Sequence, residues 1–324
     1  MLDLNLPLGK KASLFPGKEI NYNISGLFIC TELIFELVTI IEDKFEYKLP
    51  IKYIFGSPSV KWNGGRCILK DMNKLEDLEF IEKEIENTIK REIIPVFTFS
   101  NIFLTEKDLF DERCNTILKL INELGAEVIV ASSILEQYIR ELYPKIKIHA
   151  SVILSTFEKD RNLEFYERLS SNFHNYVVHP DDNFNYKLLQ ELPKVNAEIL
   201  VNEKCKYLCQ IRKEHYKSIS IEQIELVEGN YSDKRFLNSC NMIPEIKQSV
   251  IKERNISLTR EEVKKIISLG YSSLKIQGRT DNLYTYFFDL LRFTLEKEVA
   301  FPTVYSLFCG YIENFLKRKK VWQV

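Results

Sequence analysis

The sequence predicts a parallel (β/α)8 barrel of the TIM-barrel type, and three observations carry that prediction. Short β-rich runs alternate with amphipathic helical stretches from about residue 50 onward. The runs are continuously apolar instead of alternating, as strands covered on both faces must be. The repeating part of the chain is also close to the roughly 250 residues that such a barrel usually takes. A doubly wound open sheet is the alternative, but no Gly-rich phosphate fingerprint follows an early strand.

Residues 1 to 48 precede the repeat and read as an N-terminal extension packed on the barrel. Within them LFICTELIFELVTII (27 to 41) reads as a buried or amphipathic helix; it is too short to span a bilayer and carries Glu32 and Glu36. The strands then follow in order: IKYIFGS (51 to 57), IPVFTFS (94 to 100), AEVIVAS (126 to 132), KIHASVIL (147 to 154), NYVVHP (175 to 180), AEILVN (197 to 202) and SSLKIQG (272 to 278). Between them LEDLEFIEKEIENTIKRE, LFDERCNTILKLINELG and FNYKLLQELP space their apolar residues for helices. The remaining strand is expected between Cys240 and Thr259, where the pattern is unclear, so the barrel is expected to be irregular around its seventh strand. Residues 301 to 324 read as a final helix ending in LKRKKVW, and the whole chain as one domain with its barrel at 49 to 300.

Composition limits the function classes. Lys plus Arg number 45 against 46 Asp plus Glu, so no global basic field argues for nucleic acid. RNA stays open as a partner only through a local groove such as Lys204, Lys206, Arg212 and Lys213. The N-terminus MLDLNLPLGKK has no apolar core of a secretory signal, and seven cysteines suit a reducing cytoplasm better than a disulfide framework. The thiols are therefore expected to be free or metal-bound.

The most informative segment is AEILVNEKCKYLCQIRKEHY, residues 197 to 216. If it is helical after Asn202, about 100° of rotation per residue puts Cys205, Cys209, Arg212 and Tyr216 in one stripe, with Leu208, Ile211 and His215 beside it. Arg is seldom fully buried without a partner, so this is not an ordinary core stripe. Two thiols one turn apart can ligate one metal centre, with Cys240 as the obvious third ligand; they can equally be small packed core residues.

In a barrel of this kind the site is assembled from the loops after the strands. Those positions hold Ser57, Lys61, Trp62, Asn63 and Arg66, then Ser100, Asn101, Ser132, Ser133 and Ser151, then His179, Asp181, Asp182 and Asn202, and finally Gln277, Arg279 and Asp281. Loop ends are polar by default, and Thr105 with Asp108 reads as a helix start. Arg66 and Arg279 stand out because each follows glycine, in GGR and QGR, and offers a fork for a small anionic substrate. No HExxH or Walker-type loop is present.

Glu198-Ile199-Leu200-Val201-Asn202 leading into Cys205 and Cys209, Cys240 beyond, and the closing Leu274-Lys275-Ile276-Gln277-Gly278-Arg279 resemble the collagenase-like peptidase family, the peptidase U-thirty-two family. The first anchor in that family reads E-x-F-x-H-G and the last F-K-I-E-G-R, so Asn202, Glu203 and Gln277 depart from it. The resemblance implies a TIM-barrel-type core and, from the oxygen-independent hydroxylase relatives, a four-iron four-sulfur cluster. Cys205, Cys209 and Cys240 map to ligand positions, with Cys67 as the candidate fourth. Zinc on Cys205, Cys209, Cys240 and His215 is the chemical alternative. Arg66, Arg279, His179 and Asn202 are the residues expected around a small aromatic or RNA substrate. The same resemblance allows a non-catalytic barrel that pairs with a homologous one, and, third, a peptidase.

Overall fold

A computed structural model describes residues 8–65, 77–230, 256–278, 283–296 and 310. Arg66, Cys67, Cys240, Arg279, Asp281, Cys309 and nearly all of the expected final helix lie outside the described residues. The chain divides into two compact units, residues 21–29 with 51–277, and residues 1–20, 30–50 and 278–324.

The first unit is a closed barrel of eight parallel strands in sequence order. They are β1 (Asn21–Ser25), β2 (Ile51–Gly56), β3 (Ile94–Phe99), β4 (Glu127–Val130), β5 (Ile148–Ala150), β6 (Asn175–Val178), β7 (Ala197–Leu200) and β8 (Ser273–Ile276). Every residue of β4, β5, β6 and β7 is buried, which is why these strands read as continuous runs.

The eighth strand is not where the sequence placed it. Strand β1 closes the barrel by pairing with both β2 and β8, so residues 21–25 of the expected extension are part of the sheet. Strands β7 and β8 pair directly, Ile199 opposite Leu274, so no strand from between Cys240 and Thr259 intervenes and the seventh strand is regular. The segment NYNIS is hard to read because its second inward position is polar: buried Asn23 donates from Nδ2 to the Ser273 hydroxyl at 2.9 Å. A second correction concerns β5, which stops at Ala150. Ser151 Oγ accepts the Ile153 N–H at 3.2 Å and starts a short helix over the residues VILSTF instead.

Most of the other described helices of this unit start where a side chain caps them, the two that begin at Ser133 and Arg212 excepted. Asp77 caps α2 (Leu78–Ile89), Asp111 caps α3 (Glu112–Leu124), and α4 is Ser133–Leu142. After α5 (Val152–Phe157), Asn162 caps α6 (Leu163–Asn172) and Asn185 caps α7 (Tyr186–Glu191). Helix α8 (Arg212–Val227) follows β7, and a Thr259/Glu262 capping box opens α9 (Arg260–Ser268). Thr105 and Asp108 form the expected capping box on a 3-10 turn.

The loop after β2 runs tightly against the loop after β3. A Cβ on Gly64 would lie 2.1 Å from the Ser100 carbonyl oxygen and 2.5 Å from the Asn101 nitrogen, both backbone atoms that cannot swing away. Gly64→Ala is therefore expected to destabilise the fold by at least about 1–3 kcal/mol. Urea unfolding measures this, and an unchanged midpoint would contradict the packing described.

The second unit contains α1 (Thr31–Phe45) and a helix α10 (Leu283–Thr294). The Leu14 N–H donates to the Thr294 carbonyl at 3.0 Å, and Ser13 bridges Leu295, which ties the two ends of this unit together. No described helix is long and apolar enough to cross a membrane.

Candidate functional site

The segment after β7 is not helical until Arg212. Cys205 and Cys209 therefore lie on a loop, and the expected stripe along one helix does not form. The loop nevertheless brings the two thiols and the arginine together. Glu203 Oε1 accepts the Cys205 N–H at 2.9 Å, and Leu208 adopts a left-handed backbone with φ of 51°. That conformation is costly for a non-glycine residue. It is held because the Leu208 N–H donates to Asp181 Oδ1 at 3.1 Å.

Within this loop Cys205 hydrogen-bonds to Cys209, so the pair gives up one proton readily and holds the other between the two sulfurs. The bond from Cys205, with help from the nearby Arg212 charge, lowers Cys209 to about 6, whereas Cys205 is raised by the same bond and by burial. Cys114, inside α3, is fully buried and its thiol is pushed up by that burial, as expected of a packed core cysteine.

Arg212 is the hub. One face of its guanidinium grips Asp181 with two bonds of 3.0 Å, Nη1 to Oδ2 and Nη2 to Oδ1. Nη2 also donates to the Lys206 carbonyl at 2.8 Å, which closes the loop back on the helix start. Nη1 lies 3.0 Å from His179 Nε2, while the Asp181 N–H lies 3.2 Å from Nδ1. Asp181 Oδ2 also lies 3.5 Å from Nδ1, so a neutral ring can keep its one N–H there and accept from Arg212 at Nε2, whereas an imidazolium would turn an N–H against the guanidinium. Burial and the charges of Arg161 and Arg212 lower His179 to about 2, so it is neutral.

A second, half-buried pair supports the first. Arg161 forks onto Asp182 at 2.8 and 3.2 Å, and the Tyr166 hydroxyl donates to Asp182 at 2.6 Å while accepting the His179 N–H at 3.1 Å. Sequence reasoning saw Asp181 and Asp182 only as polar loop ends. The available signal was the arginine itself, since a buried guanidinium requires a carboxylate.

Other expected site residues are used inside the fold. Asn202, fully buried, donates from Nδ2 to the Gln277 carbonyl at 2.7 Å and accepts the Gln277 N–H at 2.8 Å, clasping the ends of β7 and β8. His215 lies on α8 with its ring stacked on Tyr216, 6.3 Å between centroids, and does not join the two cysteines. Among the described residues no three His, Cys, Asp or Glu side chains form a metal-binding group. Trp62 is not a lining residue of the mouth but core: fully buried, with its indole N–H on the Asp108 carbonyl at 2.7 Å.

Below these loops the barrel interior carries charge where apolar layers are usual. Glu198 of β7 holds Lys275 of β8 at 2.9 Å, so the glutamate of the first family-like anchor pairs with the lysine of the last. Lys275 brings Glu198 down to about 2 against the cost of burial. Neither composition nor periodicity marks this pair.

No family model and no curated protein matches the chain. Among solved structures, the U32 peptidase Mk0906 superposes on it with a TM-score of 0.53 at 11% identity, covering 81% of this chain and 93% of that one. At that identity the likeness is one of fold, and it relates this closed eight-stranded barrel distantly to that of a U32 peptidase.

Proposed function

We propose that this chain is an iron–sulfur-dependent modifying enzyme, an oxygen-independent hydroxylase acting on a small aromatic or RNA substrate. The observation that carries the reading is the contact between Cys205 and Cys209 in a shaped loop at the carboxyl end of β7, where barrel enzymes assemble their sites. Two adjacent sulfurs beside a buried guanidinium fit half of a four-thiolate set. Cys240 and Cys67 are the proposed remaining ligands. When bound, such a cluster supplies one-electron transfer at a potential tuned by charge and hydrogen bonds around its sulfurs.

The chain's own residues divide the remaining work. Arg66 and Arg279 bind an anionic group of the substrate. Arg212 and Asp181 fix the loop that carries the cysteines, and His179 and Asn202 position rather than react, since their polar atoms are already engaged.

Anaerobic purification is expected to yield a brown protein with iron and sulfide near stoichiometry, and the content should fall in a Cys205→Ala variant. A colourless, iron-free protein after reconstitution overturns the reading. The commitment of His179 and Asn202 to the fold also suits a second reading, a non-catalytic barrel that pairs with a homologous one and holds zinc or nothing on its cysteines. Co-purification of such a partner without turnover by the isolated chain would favour it. Reproducible cleavage of gelatin, lost on one substitution, would instead favour a peptidase.

A further inference from the structure

Four charged or titratable side chains cross the barrel interior in a line, Glu127, His149, Glu198 and Lys275, and an exposed lysine, Lys147, joins it at the Glu127 end. Lys147 Nζ lies 3.3 Å from Glu127 Oε1, and Glu127 Oε2 lies 2.5 Å from His149 Nε2. His149 Nδ1 lies 3.8 Å from Glu198 Oε1, and Glu198 Oε2 lies 2.9 Å from Lys275 Nζ. Each carboxylate uses one oxygen for each neighbour. The ring therefore sits between two anions, both almost fully buried.

His179 differs: its Nε2 lies 3.0 Å from the Arg212 guanidinium, a group that can only donate. In one barrel, two buried histidines occupy contrasting surroundings, and hydrogen-bond chemistry favours a neutral ring in one and a charged ring in the other. We propose that His149 is carried as an imidazolium, making this line an alternating ion chain that clamps β8 to β7 and loosens when His149 loses its proton. Burial opposes charge on the ring, but hydrogen bonds and charges from Glu127 and Glu198 outweigh it and raise its affinity for a proton.

The other groups facing the ring fit that state. Asn175 Nδ2 lies 3.1 Å from His149 Nδ1, and a half-turn of the amide presents its oxygen to an N–H there. The Tyr53 ring meets His149 edge-on at 5.1 Å, and its hydroxyl lies 3.2 Å from His174 Nε2. His174 stacks edge-on at 5.4 Å; burial, with the His149, Lys147 and Lys52 charges, lowers its proton affinity, so it stays neutral beside a charged neighbour. On the far side the Lys275 ammonium rests 4.3 Å over the Phe55 ring. One residue past β8, Gln277 makes the clasp with Asn202 under the cysteine loop.

The sign of the pH effect follows. A group whose proton is held more tightly when folded stabilises fully below its unfolded value, about 6.5 for histidine, and stops doing so as pH rises through its folded value. The barrel is thus expected to lose stability on the alkaline side.

Nitrogen NMR of the full chain labelled only at its four histidines tests this without reference to any activity. At pH 7.5 both ring nitrogens of His149, assigned through a His149→Gln variant, are expected to carry protons, whereas only one of the two in His179 is. In Glu198→Gln the His149 midpoint should fall by about 1–3 pH units. If that variant does not fold, Glu127→Gln provides the same test. Thermal melting between pH 6.5 and 9 should fall more steeply in the wild type than in His149→Gln. A neutral His149 at pH 7.5, accepting from Asn175 as the Nε2–H tautomer, would overturn the proposal, as would a midpoint indifferent to both glutamates.

Discussion

Arg212→Ala is expected to lower the free energy of unfolding by about 3–5 kcal/mol, the range for removing one partner of a buried ion pair. The reason is what remains behind. Asp181 is almost fully buried and loses both of its 3.0 Å bonds, leaving a carboxylate with only the Leu208 N–H to compensate. The Lys206 carbonyl loses its 2.8 Å donor at the same time, so the turn that places Cys205 and Cys209 keeps its backbone bond from the Arg212 N–H to the Cys209 carbonyl but loses this side-chain tether to α8. Urea unfolding at neutral pH measures the loss. The double variant Arg212→Met with Asp181→Asn should lose markedly less than Arg212→Ala, because it removes the stranded charge as well as its partner. Equal losses would show that packing, and not charge, dominates at this place.

Trp62→Ala is expected to cost a similar amount, about 3–5 kcal/mol, through the cavity left by a large buried ring. The indole is fully buried, edge-on to Phe99 at 5.5 Å and to Tyr138 at 6.0 Å, and its N–H satisfies the Asp108 carbonyl. Trp62→Phe should recover part of the packing but not that hydrogen bond, and should fall between the two in thermal melting. If alanine were tolerated within about 1 kcal/mol, the loop after β2 would have to collapse onto the gap.

These two residues also show where sequence reading stopped. Trp62 follows a strand, and strand ends in this fold line the site, so it reads as a mouth residue. Its burial depends on the loop folding back against β3 and the turn at Asp108, which no local pattern announces. Arg212 was the better clue: its place among apolar neighbours and cysteines foretold a partner, though not that the partner would come from the loop after β6. Cys205 and Cys209 were legible as a pair but not as a loop. Helical spacing brings residues four apart together, and so does a compact turn closed by Glu203, Asp181 and the Lys206 carbonyl.

Seven of the eight strands were readable from their apolar runs, most plainly β4 to β7, where burial on both faces writes itself into every consecutive residue. Strand β1 escaped because Asn21, Asn23 and Ser25 break its apolar run, and the acceptor for the buried Asn23 amide N–H, Ser273, comes from the far end of the chain, on β8. Periodicity and capping chemistry act over a few residues, so the barrel class and the other seven strands follow from the chain as written. The charged line from Lys147 to Lys275 and the contrasting surroundings of His149 and His179 do not. They arise from which side chain faces which across the closed sheet, and that is decided by strand register, where one residue of slip would turn every inward group outward.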